Sequence, residues 1–263
     1  MRIIYTMSIK HGCGGFSTML NLLESLCLSS NVSRGVSDEV VLYCDRRSHQ
    51  LIKNFNYKFG FTEIIEALDD CPYYTSNQWA FCKIYVYSLQ NKPFIHLDID
   101  AFIWKDLKPD IFKSRFLFQN KEDASHKTWP FYIKAWEISK SHNIVPVDIT
   151  LPETAYNMGI FGVFRKEDLG IIREYYELAL QYIKNEQSMP EIKTNGQNSM
   201  MFEQLFISSV LKKNRVPEDD ISFLMDKDGY VLPGFDYSHY LSDIKRDIGI
   251  IRMIRHLIIK YKK

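Results

Sequence analysis

Residues 91–107 read NKPFIHLDIDAFIWKDL, and how this stretch is read decides the fold. Phe94, Ile95 and Leu97 follow Pro93 as a compact apolar run, the pattern of a short buried strand entered from a breaker. Two aspartates, Asp98 and Asp100, close the run on either side of Ile99. Carboxylates are rarely buried without a partner, because removing one from water costs several kcal/mol. The strand therefore ends at a solvent-lined edge or delivers both carboxylates to a cation. Alternation along a strand points the two side chains roughly the same way. They can then share one divalent ion, and hard oxygen donors suit Mg²⁺ or Mn²⁺. Taken alone, the pair reads equally as a chance polar strand end.

Working outward, strand-like and helix-like segments alternate up to this point. Arg2–Met7 and Glu39–Cys44 have strand character, as does Phe61–Ala67. Phe16–Ser29, Ser48–Phe55 and Asn77–Gln90 carry helical spacing. Such alternation predicts an α/β fold, a mostly parallel sheet with helices on both faces. Downstream, Phe116–Phe118 and Tyr156–Phe164 read as strands, and Tyr132–Ser141, Leu169–Asn185 and Asn198–Lys212 as helices. The polar stretches Ser29–Ser37 and Glu186–Gln197 read as loops inside one domain. Ligands of open α/β sheets bind outside the carboxyl ends of the strands, which is where Asp98 and Asp100 fall.

The 263 residues are 46% hydrophobic and 25% charged, with a net charge of +1. That composition is globular. It lacks the global basic field that dominates nucleic-acid binding, so no nucleic-acid partner is expected. Five cysteines without a C-x-x-C pair read as reduced thiols. The apolar run near Met1 is too short for a signal peptide, and no stretch suffices to span a bilayer. The expectation is a cytoplasmic protein.

Two further segments bear on the aspartates. In HYLSDIKR, His239 precedes Lys245 by six positions; an imidazole can complete a metal shell, and a lysine is a point charge for phosphate. In AYNMGIFG, Asn157 and Gly159 open an apolar strand, where an amide beside a glycine can meet a polar ligand. Each alone has an ordinary structural reading; together they support one site.

With these motifs the chain resembles the GT-A glycosyltransferases. Asp98 and Asp100 match their D-x-D, and AYNMGIFG is similar to the N-x-G segment of the glycogenin-like and lipopolysaccharide-galactosyltransferase-like members. His239, Ser242 and Lys245 match the H-x-x-G-x-x-K element, with serine in place of glycine and Arg246 where proline is usual. The block NQWAFCKIYVYSLQNKPFIHLDID also resembles poorly characterised bacterial GT-A-like proteins. The resemblance implies a GT-A catalytic domain over 1–246, with His239 as third metal ligand and Lys245 on the diphosphate. It also implies Mn²⁺ or Mg²⁺ as cofactor, a nucleotide-diphosphate sugar (UDP-sugar foremost) as donor, and a glycan or lipid-linked acceptor in bacterial surface polysaccharide synthesis. A metal and a lysine would neutralise the leaving diphosphate.

Other residues carry two readings each. Trp79 and Lys83 lie one helical turn apart, offering an aromatic face or a charge to the donor, or else core and solvated surface. Glu203, beside Gln204, emerges from MMFEQLFISSVL as a candidate catalytic base or sugar ligand, or as a surface glutamate. With Asn157 it forms the expected catalytic pair. His11 stands in a glycine-rich turn with Gly12, Gly14 and Gly15, a nucleotide-side candidate that lacks G-x-G-x-x-G spacing. Residues 247–263 form a basic amphipathic helix, whose apolar face (Ile251, Ile254, Ile258) either lies on an anionic membrane at the inner surface or docks on the domain. Two rivals remain. A HAD-type phosphatase also has D-x-D, but wants Thr or Val where Phe102 stands. A non-catalytic nucleotide-sugar or glycan-binding module would keep the fold without turnover.

Overall fold

The computed structural model describes residues 1–73, 78–124, 130–147, 149–188, 196–225, 236–240 and 242–261. The first half alternates as its hydrophobic periods require: β1 (Arg2–Met7), α1 (Met19–Ser33), β2 (Glu39–Cys44), α2 (Arg46–Lys53), β3 (Glu63–Glu66), α3 (Trp79–Ser88) and β4 (Phe94–Leu97). There follow β5 (Ala101–Ile103), β6 (Phe116–Phe118), β7 (Lys121–Asp123), α4 (Pro130–Ser141), β8 (Thr154–Tyr156), β9 (Ile160–Val163) and α5 (Leu169–Gln187). The remainder is α6 (Gly196–Met200), a π-helical turn (Met201–Leu205), α7 (Phe206–Lys213), β10 (Ile221–Phe223), β11 (Tyr237–His239) and α8 (Ile248–Tyr261).

Among the described residues the main sheet has seven strands in the order β10-β6-β9-β4-β1-β2-β3. β4, β1, β2 and β3 are mutually parallel, and β10 is parallel to β6. β9 runs antiparallel to both β4 and β6. The mostly parallel α/β architecture expected from the sequence is thus present. Side chains alternate across the sheet as strand geometry dictates. Ile4, Val41 and Phe94 pack with α3, α5 and α7 on one face; Ile3, Tyr5, Val40, Leu42 and Leu97 pack with α1 on the other.

Several boundaries differ from expectation by two or three residues, and three departures change what is buried or where the chain turns. Ser29–Ser33 continues α1 instead of starting a loop, because its serines find partners inside: the Tyr5 hydroxyl meets Ser29 Oγ at 2.8 Å and Ser33 Oγ at 2.7 Å. The run 156–164 is broken, since Asn157 Oδ1 accepts the Gly159 N–H at 3.0 Å and turns the chain out of β8 into β9. The helix expected over Asn198–Lys212 contains the π turn, which leaves Glu203 buried. Most of Glu186–Gln197 lies outside the described residues.

The tail docks on the domain. Ile254 and Ile258 are buried against Cys27, Leu28 and Val32 of α1 and against Tyr240. Arg255 Nε pairs with both oxygens of Glu24 at 2.8 and 2.9 Å. Arg252, His256, Ile259 and Lys260 remain exposed. No described helix is long and apolar enough to cross a membrane.

Candidate functional site

The strand order explains how distant residues meet. Because β9 is antiparallel to β4, it begins where β4 ends, pairing Leu97 with Ile160. The N-x-G turn therefore abuts the aspartates, and Asp98 N–H donates to Gly159 O at 2.8 Å. Beyond Asp98 the chain does not continue as a strand. Ala101 N–H donates to Asp98 O at 2.9 Å, closing a turn, and β5 leaves the main sheet to pair antiparallel with β11. His239 sits opposite Ala101 in that pair, and Tyr240 N–H donates to Asp100 O at 3.0 Å.

The two carboxylates are consequently not parallel neighbours on one strand face. They flank a turn, each facing its own lysine. His239 Nε2 lies 3.4 Å from Asp100 Oδ1 and 3.9 Å from Asp98 Oδ2. One ligand atom each from Asp98, Asp100 and His239 fall within 4.8 Å of one another. Two carboxylates and an imidazole, of which Asp100 and His239 are buried, form a donor set suited to a divalent ion such as Mn²⁺.

Lys245 Nζ stands 2.6 Å from Asp100 Oδ2. The contact is a close ion pair with a buried carboxylate oxygen. Burial alone would raise the Asp100 pKa; the Lys245 charge, aided by the neighbouring His239 ring, prevails and holds it well below the usual carboxylate range. The same ammonium donates to Gly14 O at 3.1 Å, 5.5 Å from the centre of the Phe16 ring. Arg246 Nε donates to Gly15 O at 3.1 Å. Gly12, Gly14 and Gly15 have φ of +73°, +56° and +88°, a left-handed path that glycine adopts without strain. The glycine-rich turn thus lies against the Lys245 segment. The side chains of His11 and Ser242 lie outside the described residues.

Lys83 is no solvated surface lysine. From α3 its Nζ reaches Asp98 Oδ1 at 2.7 Å and Glu203 Oε1 at 2.9 Å, with the Trp79 ring centre 4.9 Å away. Burial would lower the lysine pKa, but the two carboxylates raise it above the ordinary value. Glu203, 1% exposed, is shifted upward by burial, opposed by Lys83 and reinforced by Asp98. A π turn commonly aims a side chain this way at a functional site. Its backbone is held by Tyr175 OH, which donates to Glu203 O at 2.6 Å.

Asn157 is committed to neighbours on both ends. Besides holding Gly159 N–H, its Nδ2 donates to Glu122 Oε1 at 2.8 Å. Tyr132 OH donates to Glu122 Oε2 at 2.7 Å and also contacts Gln204 Oε1. A polar chain thus runs from the N-x-G turn to the residue after Glu203.

Sequence reasoning overlooked Gln119, Glu122, Tyr132 and His96. Gln119 Oε1 lies 2.6 Å from His239 Nδ1. It follows the apolar triplet of β6 at a strand's carboxyl end, the same signal that marked Asp98, and was therefore legible. His96 is buried between Tyr87 OH (3.1 Å) and Thr6 Oγ1 (3.2 Å), its pKa pushed well down by burial and by Lys83. Nothing local marks it.

A family model matches residues 6–263, and the chain belongs to that family, described as a family of unknown function (DUF6734). No curated protein sequence matches it. Among solved structures it is similar to the apo form of mouse xyloside xylosyltransferase 1, with a TM-score of 0.46 and 12% identity over 85% of this chain and 84% of that one. It is also similar to galactosyltransferase LgtC in complex with donor and acceptor sugar analogues, with a TM-score of 0.47 and 10% identity over 99% and 96%.

Proposed function

We propose that the chain is a metal-dependent glycosyltransferase of the GT-A kind. Its donor is a nucleotide-diphosphate sugar, with UDP as the nucleotide, and its acceptor a glycan or lipid-linked saccharide of bacterial surface polysaccharide synthesis. One observation carries this reading: Asp98, Asp100 and His239 each bring a ligand atom within 4.8 Å of the others, a set that could hold a divalent cation, with the Lys245 ammonium 2.6 Å from Asp100.

The residues fit such an ion by number, chemistry and burial. When bound, Mn²⁺ or Mg²⁺ would supply Lewis-acid stabilisation of the departing diphosphate. Lys245 supplies a second positive charge on the same side, and the glycine turn brings backbone close to it. Lys83 holds Asp98 and Glu203 in place through its two ion pairs. Glu203 and Asn157 belong to the sugar side, Glu203 as a group that orients or deprotonates a hydroxyl and Asn157 as the residue that shapes the turn beside it. Trp79 and His11 belong to the donor side.

The enzyme would work in the cytoplasm at the inner membrane surface. Ile254 and Ile258 are spent on α1, so this association rests on the exposed Arg252, His256 and Lys260 with Ile259, attracted to anionic lipid.

The test is calorimetric titration with a panel of nucleotide sugars, with and without Mn²⁺, followed by assay of donor hydrolysis and transfer. Metal-dependent binding with turnover supports the reading. Binding without turnover supports a non-catalytic module, and no binding of any nucleotide sugar rejects both.

A further inference from the structure

We propose that Gln119 is a positioning residue that sets the tautomer of His239, so that the ring offers a bare Nε2 to a cation. The inference rests on the reading that Asp98, Asp100 and His239 hold a metal, and it concerns a residue outside that set.

Gln119 Oε1 and His239 Nδ1 are 2.6 Å apart, both side chains buried. An amide oxygen carries no hydrogen, so the proton of this bond belongs to Nδ1. A neutral imidazole has one N–H. Placing it on Nδ1 leaves a lone pair on Nε2, the atom facing Asp100 Oδ1 at 3.4 Å and Asp98 Oδ2 at 3.9 Å. Partners on the far nitrogen of a metal-binding histidine orient the ring and raise its basicity.

The surroundings hold Gln119 in place. Its backbone N–H donates to Asn157 O at 3.1 Å, and its carbonyl accepts from Met225 N–H at 2.9 Å. Gly159 makes room for the pair: a Cβ there would collide with the imidazole and with Gln119 Oε1. The Gln119 Nε2 atom is buried and makes no hydrogen bond among the described residues. Were the amide turned over, Nε2 would donate to Nδ1, the proton would move to His239 Nε2, and that nitrogen would be closed to a cation. The two amide orientations thus define an open and a closed ring nitrogen, and the oxygen-inward one is seen.

The test uses the full chain with ¹⁵N-labelled histidine. Nitrogen shifts of the neutral His239 ring report the tautomer across a pH series without metal, and Mn²⁺ titration followed by electron paramagnetic resonance reports affinity. The wild type is expected to show Nδ1–H. Gln119→Leu should shift the ring toward Nε2–H and weaken Mn²⁺ binding by about 10- to 100-fold. Gln119→Glu, which also accepts from Nδ1–H, should keep the tautomer and bind Mn²⁺ within a few-fold of the wild type. A wild-type ring protonated on Nε2 in a chain that binds Mn²⁺ overturns this proposal alone. So does a Gln119→Leu chain with unchanged tautomer and affinity. A wild type that binds no Mn²⁺ overturns the metal reading beneath it.

Discussion

Lys83 Nζ stands 2.9 Å from Glu203 Oε1 across 120 residues of sequence. It also touches Asp98, so one buried ammonium separates two carboxylates that would otherwise repel. Removing one partner of a buried ion pair strands the other, and Lys83→Met should therefore cost about 3–5 kcal/mol of stability at neutral pH, read by urea unfolding. The sign follows from the lysine pKa, which is raised in the folded state. Its contribution is complete below about pH 10.4, the ordinary lysine value, and is lost as pH climbs beyond it. The gap between wild type and variant should narrow in that alkaline range. An equal gap at every pH would mean that the ion pair is not its source.

Asp100→Asn should remove Mn²⁺ binding and lower metal-dependent donor turnover by about 100-fold or more, on the scale of losing one charge-stabilising group. Circular dichroism should report an intact fold. The Asp100 carboxyl is held below the usual range by Lys245 and His239 against burial. Its stabilising contribution is present above about pH 3.9, the ordinary aspartate value, and fades as pH falls below it. The variant should show a shallower loss of stability with acid. Wild-type activity in Asp100→Asn would remove this residue from the site.

Gly159→Ala should be destabilising by about 1–3 kcal/mol, since overpacking a close-packed site forces its neighbours aside. The added methyl meets the His239 ring and Gln119, so Mn²⁺ affinity should fall together with melting temperature. Loss of stability with unchanged Mn²⁺ affinity would show that the ring accommodates the methyl without leaving its place.

Ile254→Ala should cost about 2–5 kcal/mol, the range for deleting a buried isoleucine to alanine, because this side chain is 3% exposed between α8 and α1. Sedimentation with anionic vesicles tests the other face. Arg252→Glu combined with Lys260→Glu should reduce binding at low salt while leaving the melting temperature nearly unchanged. If the wild type stays in the supernatant at low salt, the basic face has no membrane role.

Much of this was legible locally. β1 and β2 are legible to the residue because each is a short, nearly continuous apolar run, the pattern of a strand buried on both faces inside a parallel sheet. The aspartates were found because polar groups closing a buried strand must meet water, a charge or an ion. His239 and Lys245 were linked to them by motif, and β11 and the turn after it bring both to Asp100. Gln119 could have been noticed by the same reasoning. Lys83 stood out only as a donor-side candidate beside Trp79; its pairing with Asp98 and Glu203 was not legible, since one helical turn from a tryptophan describes surface lysines as well.

By itself, then, the sequence determined the α/β layering, the strand that bears the D-x-D, and the residue types at its end, all of which follow from local periodicity and the cost of burying charge. The tertiary structure alone decided which charges face each other. It turned Asp98 and Asp100 toward different lysines, set Glu203 beside Lys83 through a π turn, and laid the isoleucines of α8 on α1. The reason is physical: periodicity constrains which face of an element is buried, but the partner of a buried charge is chosen by strand order and helix docking, and these depend on residues far apart in the chain.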